Sequence, residues 1–355
     1  MITKNMISRL GIAAVLALTV SGGASAQDIH FTQFESSPLT INPAFTGMFD
    51  GRVRVCGIYR NQWSSVTVPY VTYGASVDLP IVWSNGGYLA TGMQLFKDQA
   101  GDGNLSNFTG LLSVAYHLTT GRDRDNDKTS DLAVGLQAGY AQKSIDLGKL
   151  YFGDEYYNGT FVPGSSQEYH LGVSPSINYF LVNAGISYSH SFGERASFTM
   201  GAGANNLNQP NDALEKKATS ENSLDMRYTG EAGLDIVAGE RLALRPAVLY
   251  QYQATANELI AGNEFHYVLS DNTEPRYTSF TTAVFLGAWY RTGDAIMITT
   301  GMEFKGFRVG FAYDYNMSTL NAASNGRGGF EIAVKYLAPW PMIYAGSRSI
   351  PCQRF

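Results

Sequence analysis

The chain is poor in charge, in cysteine and in long apolar runs. Charged residues make up 15% of its 355 residues, and it has 2 cysteines, whereas an average soluble domain is about 25% charged. Two cysteines are too few for a disulfide scaffold, and a net charge of −5 has the wrong sign for a typical nucleic-acid-binding domain. After Val20 no stretch approaches the roughly 18 apolar residues of a membrane-spanning helix.

Glycine and aromatic residues are abundant instead. The chain has 38 Gly, 22 Tyr and 19 Phe, and its mean hydropathy is −0.11. Intrinsic disorder is excluded because disordered chains have few aromatic residues and much charge. Low charge with many Gly and Tyr is typical of a large antiparallel β protein that faces lipid on one side.

Residues 1–26 have the features of a secretory signal peptide. Lys4 and Arg9 precede the apolar run from Leu10 to Val20, and Ala24-Ser25-Ala26 supplies small residues for cleavage. The alternative is a membrane anchor helix, for which this apolar run is too short. We therefore expect an exported protein whose mature chain begins at Gln27.

Residues 52–337 alternate apolar and polar residues in about fourteen segments, mostly of nine or more residues. Gly306–Tyr315 is an example, with aromatic residues and Val309 on one face and Arg308, Gly310 and Asp314 on the other. Soluble sandwiches use strands of about 5–6 residues, whereas a membrane strand needs about 9–11. The pattern predicts an all-β fold, a transmembrane antiparallel barrel of about 14 strands, rather than a soluble β fold. Residues 27–51 would form an N-terminal periplasmic or plug segment, and 338–355 a C-terminal tail.

No catalytic, cofactor-binding or metal-binding pattern is present. The five histidines lack ligand spacing, and no nucleophile elbow occurs. We predict no enzyme activity, no cofactor and no nucleic-acid partner. Cys56 and Cys352 could form one disulfide in an oxidising periplasm or remain two free thiols.

Two motif groups go beyond composition. Near the expected mature N-terminus stand Phe31-Thr32-Gln33-Phe34, Ile41-Asn42-Pro43-Ala44-Phe45 with Gly47, and then Tyr59-Arg60-Asn61-Gln62-Trp63. The C-terminal third has Ala288-Trp289-Tyr290-Arg291, Gly310–Tyr315 and Glu331-Ile332, with a cysteine close to the end.

In order and spacing these motifs resemble the PorP/SprF family of Bacteroidota, membrane proteins tied to type IX secretion and gliding. The resemblance spans essentially the whole mature chain. It departs from the family pattern at Phe330, where His is frequent, and at Gln353, where Pro is frequent.

The resemblance implies an outer-membrane barrel with periplasmic termini. It further implies association with type IX secretion components, a periplasmic ring and peptidoglycan-binding lipoproteins, or with a secreted surface adhesin. A component that assists export or surface anchoring of secreted proteins is therefore the expected function. The alternative is an outer-membrane pore or small-solute channel.

Four structural expectations concern individual residues. Phe31, Phe34, Asn42, Pro43 and Gly47 should belong to a compact segment that packs into or across the periplasmic mouth as a plug or docking surface, with a floppy leader as the alternative.

The Tyr59-Arg60-Asn61-Gln62-Trp63 block should end the first strand. There, Asn61 and Gln62 would bond loop backbone, or the rim would contact an exported partner.

Strand pairing predicts two lumenal charge contacts. A turn near residue 65 places Arg52 opposite Asp78. Closure of the last strand on the first brings Arg60 close to Glu331 and Asp314, with separately hydrated charges as the alternative. A turn centred between residues 322 and 323 would put Asp314 across from Glu331.

Overall fold

The computed structural model describes residues 30–84, 86–123, 128–167, 174–193, 195–214, 223–270 and 282–339. The predicted signal peptide at 1–26 and Cys352 lie outside these residues, as does all of the C-terminal tail except Ala338 and Pro339. No helix among the described residues is long and apolar enough to cross a membrane.

Fourteen of the strands in the described ranges form one closed antiparallel barrel. They are β1 Val53–Gln62, β2 Tyr70–Ser84, β3 Gly87–Ala100, β4 Leu105–Asp123, β5 Lys128–Ser144, β8 Ser176–Ser191, β9 Ala196–Asn205, β10 Arg227–Val237, β11 Leu242–Gln253, β12 Ala256–Ser270, β13 Thr282–Arg291, β14 Ala295–Phe304, β15 Phe307–Asn316 and β16 Arg327–Ala338. The fold-class prediction is confirmed.

A short hairpin stands apart from the barrel wall, in the loop between β5 and β8. It consists of β6 Tyr156–Tyr157 and β7 Thr160–Phe161. A four-residue helix, α2 Asn321–Ser324, lies between β15 and β16.

Strand β16 pairs with β1 and closes the wall, from Val53 opposite Ala338 to Gln62 opposite Gly329. We call the end of the barrel near Val53 and Ala338 the terminal rim and the opposite end the far rim. Closure leaves no unpaired strand edge at this seam, which is what the barrel prediction required.

The wall has an apolar outer face. Along β13 buried and exposed side chains alternate strictly, and large apolar residues such as Leu112, Leu136 and Leu286 are more than half exposed. Inward-facing positions carry many polar, charged or small side chains, including Arg60, Glu264 and Ala333, together with apolar residues that contact the chain inside the barrel. A wall that is apolar outside and polar inside is the arrangement of a barrel surrounded by lipid.

Residues 30–50, which we call the lumen segment, lie inside the barrel. Nearly all of them are buried. A 3-10 turn covers Phe34–Ser36, helix α1 covers Pro38–Ile41, and a second 3-10 turn covers Pro43–Phe45. Each of the last two begins at a proline, where a missing N–H costs nothing.

The filled lumen as candidate functional site

The lumen segment runs from the far rim to the terminal rim before the chain reverses into β1. Its first described residue, His30, has Nδ1 3.8 Å from Glu258 Oε2, and Glu258 lies near the far-rim end of β12. Gly47 donates its N–H to Asp78 at 2.7 Å, close to the terminal rim. The segment is packed inside the barrel as a plug rather than as a floppy leader, and its polar partners are distributed over the length of the lumen rather than lying only at the predicted mouth.

The far-rim cluster consists of Thr32, Arg60, Arg291, Asp314 and Glu331. The Arg60 guanidinium donates to Glu331 Oε1, to Asp314 Oδ2 at 2.8 Å and to Thr32 Oγ1 at 2.9 Å. Arg291 Nη1 lies 3.5 Å from the same Asp314 oxygen. The predicted contact of Arg60 with both carboxylates is therefore present, and all five side chains are buried.

The register within this cluster differs from the prediction. Glu331 lies opposite Arg60 on β1 and opposite Ala312 on β15, while Asp314 lies opposite Gly329. A bulge after Asp314 shifts the pairing near the loop. Asp314 therefore reaches Arg60 from a diagonal position rather than from across Glu331.

The far-rim cluster also holds the lumen segment. Thr32 donates its backbone N–H to Glu331 and its hydroxyl to Asp314 Oδ1 at 2.6 Å, and the N–H of Gln33 donates to Glu331 Oε2 at 3.0 Å. Strands from both ends of the chain and the segment before the first strand thus share one set of charges.

A second cluster, the terminal-rim cluster, consists of Arg54 and Asp78 with the backbone of the lumen segment. Arg54 Nε and Nη2 donate to the two Asp78 oxygens at 2.9 and 2.8 Å, and Nη2 also donates to Phe45 O at 2.8 Å. The predicted partner Arg52 was wrong. The connection between β1 and β2 is centred at residue 66 rather than 65, so Arg54 lies opposite Asp78 and Arg52 is exposed.

Asn42 and Pro43 fit the middle of the lumen segment against the wall. Asn42 is extended, with φ −151° and ψ 119°, as expected for a residue before proline. Its amide donates to Glu231 Oε1 at 2.9 Å and to Ile186 O at 3.0 Å, while its oxygen accepts from the N–H of Ala44 at 2.9 Å. Every polar atom of this side chain is used.

The wall facing Asn42 and Pro43 is glycine. A Cβ at Gly135 would overlap the backbone of Pro43 and Ala44, and one at Gly185 would overlap the Asn42 amide. Gly47, with φ +75°, packs against Ala90, and only glycine takes this conformation without strain. The lumen segment therefore fits inside the barrel because the wall residues that face it are small.

Apolar side chains of the lumen segment pack on the inner wall at two places. Phe31 joins Ile58, Phe96 and Ala333, while Phe34, Ile41, Phe45 and Met48 pack with residues of β11, β12, β13 and β14. The Phe34 and Trp289 rings meet edge to face at 5.2 Å. Burial of these aromatic residues stabilises the segment inside the barrel.

Sequence reasoning missed a third group of charges on β11 to β15. Arg308 donates to both Glu264 oxygens at 2.8 Å and to Glu303 at 2.9 Å, and His266 contacts Glu264. Glu35 of the lumen segment lies 3.7 Å from Arg308. In the sequence, the strand residues of this group share one feature: each is an ionisable residue at an inward-facing position, and this feature could have identified them.

Glu35 and His117 add polar contacts along the segment. Burial, followed by the nearby carboxylate of Glu264, raises the pKa of Glu35 to about 7. His117 Nε2 lies 2.8 Å from the Thr46 carbonyl, to which it donates, and Nδ1 lies 2.7 Å from Asp131. The described residues contain no group of three or more His, Cys, Asp or Glu side chains that could hold a metal ion.

The rim block has contacts other than those predicted. Gln62 accepts from Arg60 Nε at 3.3 Å, and Asn61 donates to the Tyr59 hydroxyl at 3.4 Å, so these side-chain hydrogen bonds stay within the block and do not reach loop backbone. Tyr59 packs outside against Tyr73 and Phe330. Trp63 takes φ 58° and donates its backbone N–H to Gly328 O at 2.8 Å.

Cys56 also faces the lumen. It is buried as a free thiol, opposite Lys335 of β16. Its proposed bond to Cys352 lies outside the described residues.

The chain is similar in structure to bacterial outer-membrane transporters. The toluene transporter TbuX of Ralstonia pickettii is 10% identical with a TM-score of 0.47, covering 90% of this chain and 96% of that one. The toluene transporter TodX of Pseudomonas putida is 10% identical with a TM-score of 0.43, covering 91% and 98%.

Sequence comparison identifies the family directly. No curated protein matches the chain. The family model for the type IX secretion system membrane protein PorP/SprF matches residues 23–336, which include the lumen segment and nearly all of the barrel. The chain therefore belongs to the PorP/SprF family of type IX secretion system membrane proteins.

Proposed function

We propose that this protein is a non-enzymatic outer-membrane component that assists export or surface anchoring of secreted proteins by binding partners at its rims. The observation that carries the proposal is the filled lumen. Because this segment is hydrogen-bonded to the wall near both rims, the barrel offers surfaces for binding partner proteins rather than an open channel.

The two rims differ in a way that suits different partners. At the terminal rim, Lys305-Gly306 and residues 238–241 join their strands tightly, whereas residues 145–175 and 206–226 form long connections at the far rim. Outer-membrane barrels have short periplasmic turns and longer outer loops. The terminal rim is accordingly the side for periplasmic ring proteins and lipoproteins, and the far rim the side for a secreted adhesin.

The test is affinity purification of the tagged protein from its own cells after mild crosslinking. We expect secretion components or a secreted surface protein to be recovered. Trp63→Ala should lower recovery of the far-rim partner, whereas Arg52→Ala, an exposed change at the terminal rim, should leave recovery of that partner unchanged. Recovery of neither class of partner from a correctly folded barrel would contradict the proposal.

Planar-bilayer recording distinguishes the proposed partner-binding function from the alternative of a pore. The purified protein should give no steady conductance, because residues 30–50 occupy the lumen. Steady ion conduction by the intact chain would favour the pore.

A further inference from the structure

The outer face of the barrel wall carries almost no charge. In the interior of the described strands, Lys97 of β3 is the one charged residue at an outward-facing position. Its side chain is exposed and makes no ion pair or hydrogen bond with any residue that the structure describes. The adjacent Asp98 points to the opposite face, where it accepts from the Thr72 hydroxyl at 2.5 Å. A lipid-facing ammonium group is costly unless it reaches polar or anionic groups, so Lys97 needs a partner from outside the chain.

Lys97 marks the height at which the outer face changes from apolar to polar. On β3 the next outward-facing residue towards the middle of the wall is Leu95, and the next one towards the far rim is Gln99. Strand β4 changes at the same level, from Phe108 to Ser106, which lies opposite Gln99. The row that contains Lys97 therefore lies at the level of the lipid head groups rather than within the hydrocarbon.

Aromatic side chains flank Lys97 in this row. Tyr73 of β2 and Phe108 of β4 lie directly opposite it, and both are more than 40% exposed on the outer face. Phe108 in turn lies opposite Gln142 of β5, whose side chain is exposed. Directly opposed residues on one face have Cβ atoms about 4.5–5.5 Å apart, so one ligand can touch the ammonium group and both rings. Aromatic residues at this level contact the boundary between head groups and acyl chains.

We propose that the outer face around Lys97 is a binding site for the phosphate group of an anionic membrane lipid. The Lys97 ammonium donates to the phosphate oxygens, the Gln142 amide donates to the head group further along the row, and an acyl chain lies along Leu95 and Phe108. A zwitterionic lipid binds more weakly, because its own cation competes with Lys97 for the phosphate. In the proposed function the far rim is the outer side, so this lipid belongs to the outer leaflet. The contacts themselves do not depend on that orientation.

Native mass spectrometry of the purified protein tests the site. The protein in detergent is mixed with equal amounts of phosphatidylglycerol and phosphatidylcholine that have the same acyl chains, and the ratio of the two singly lipid-bound ions is measured. We expect the parent to prefer phosphatidylglycerol by about tenfold, the equivalent of about 1.4 kcal/mol. Lys97→Met should bring the ratio close to one, and Lys97→Arg should keep the preference. Because Lys97 has no partner among the described residues, both variants should fold like the parent, which thermal unfolding checks.

Lys149→Met is the matched control. It removes the same charge from an exposed lysine in the loop between β5 and β8 and should leave the lipid preference unchanged. Glycerol phosphate, which has the phosphate without acyl chains, should not displace phosphatidylglycerol at equal concentration. An unchanged ratio in Lys97→Met, or an equal loss of preference in Lys149→Met, would overturn the site, and displacement by glycerol phosphate would overturn its assignment to a lipid. Since only purified protein and defined lipids are used, these outcomes are independent of whether secretion partners are recovered from cells.

Discussion

At the scale of single residues, the barrel is stabilised by inward-facing charges that lie close to charges of opposite sign. Burying an arginine is costly unless its guanidinium is matched by carboxylates and hydrogen-bond acceptors. Arg60 meets this condition with Glu331, Asp314 and Thr32. Substitution of one member therefore leaves the other buried charges without that partner and lowers the free energy of unfolding.

Arg60→Ala should lower the free energy of unfolding by about 3–5 kcal/mol, because it leaves two buried carboxylates without their main cation. The measurement is urea unfolding in detergent, followed by tryptophan fluorescence. Arg52→Ala is the control, since that side chain is exposed, and should change stability by less than about 0.5 kcal/mol. Equal midpoints for the two variants would contradict the stabilising role of Arg60.

Glu35→Gln should change how stability depends on pH. The pKa of Glu35 is raised from 4.5 to about 7, so the folded state holds this proton more tightly than the unfolded chain. Its contribution to stability is complete below about pH 4.5 and is lost as the pH rises to about 7. The stability of Glu35→Gln relative to the parent should therefore increase between these values and level off above them.

Unfolding curves at several pH values measure this difference. Glu240→Gln, in an exposed turn, is the control and should track the parent. A constant difference between Glu35→Gln and the parent across the range would contradict the prediction.

At the scale of elements, the lumen segment and the wall fit each other in shape. Glycines of the wall stand where Asn42 and Pro43 press outward. The atoms that a Cβ at Gly135 would overlap belong to the backbone of Pro43 and Ala44 and not to the end of a flexible side chain. They therefore cannot move aside as a flexible side chain could.

Gly135→Ala should cost about 1–3 kcal/mol, the usual penalty of overpacking, and should loosen the lumen segment. Thermal unfolding and limited proteolysis within residues 30–50 measure the two effects. Gly57→Ala is the matched control, because nothing lies within 4 Å of the added Cβ. If both variants have the melting temperature and the protease resistance of the parent, the close packing at Gly135 does not stabilise the lumen segment.

The sequence predicts elements better than their register. Period-2 alternation located the strands, including β15, predicted over Gly306–Tyr315 and observed as Phe307–Asn316. Register depends on loop length and bulges, which alternation does not report, so Arg52 was chosen in place of Arg54. The contact of Arg308 with Glu264 was missed because it joins β15 to β12, two strands that are not neighbours in the wall.

At the scale of the whole molecule, the two rims are expected on opposite sides of the outer membrane. Tyr157→Cys in the far-rim hairpin should react with a membrane-impermeant maleimide on intact cells. Glu240→Cys at the terminal rim should react only after permeabilisation. Both are made with Cys56 and Cys352 replaced by serine. The reverse labelling pattern would invert the assignment of rims to partners.

The far-rim cluster also has a consequence for how the molecule is assembled. The contact between Thr32 and Glu331 joins residues separated by 299 positions, so it is absent from a growing chain until nearly all of it has been made. Contacts between such distant residues slow folding. The lumen segment therefore gains its hydrogen bonds to Glu331 only when β16 is in place. A chain truncated before Glu331 would lack both its last strand and this anchor.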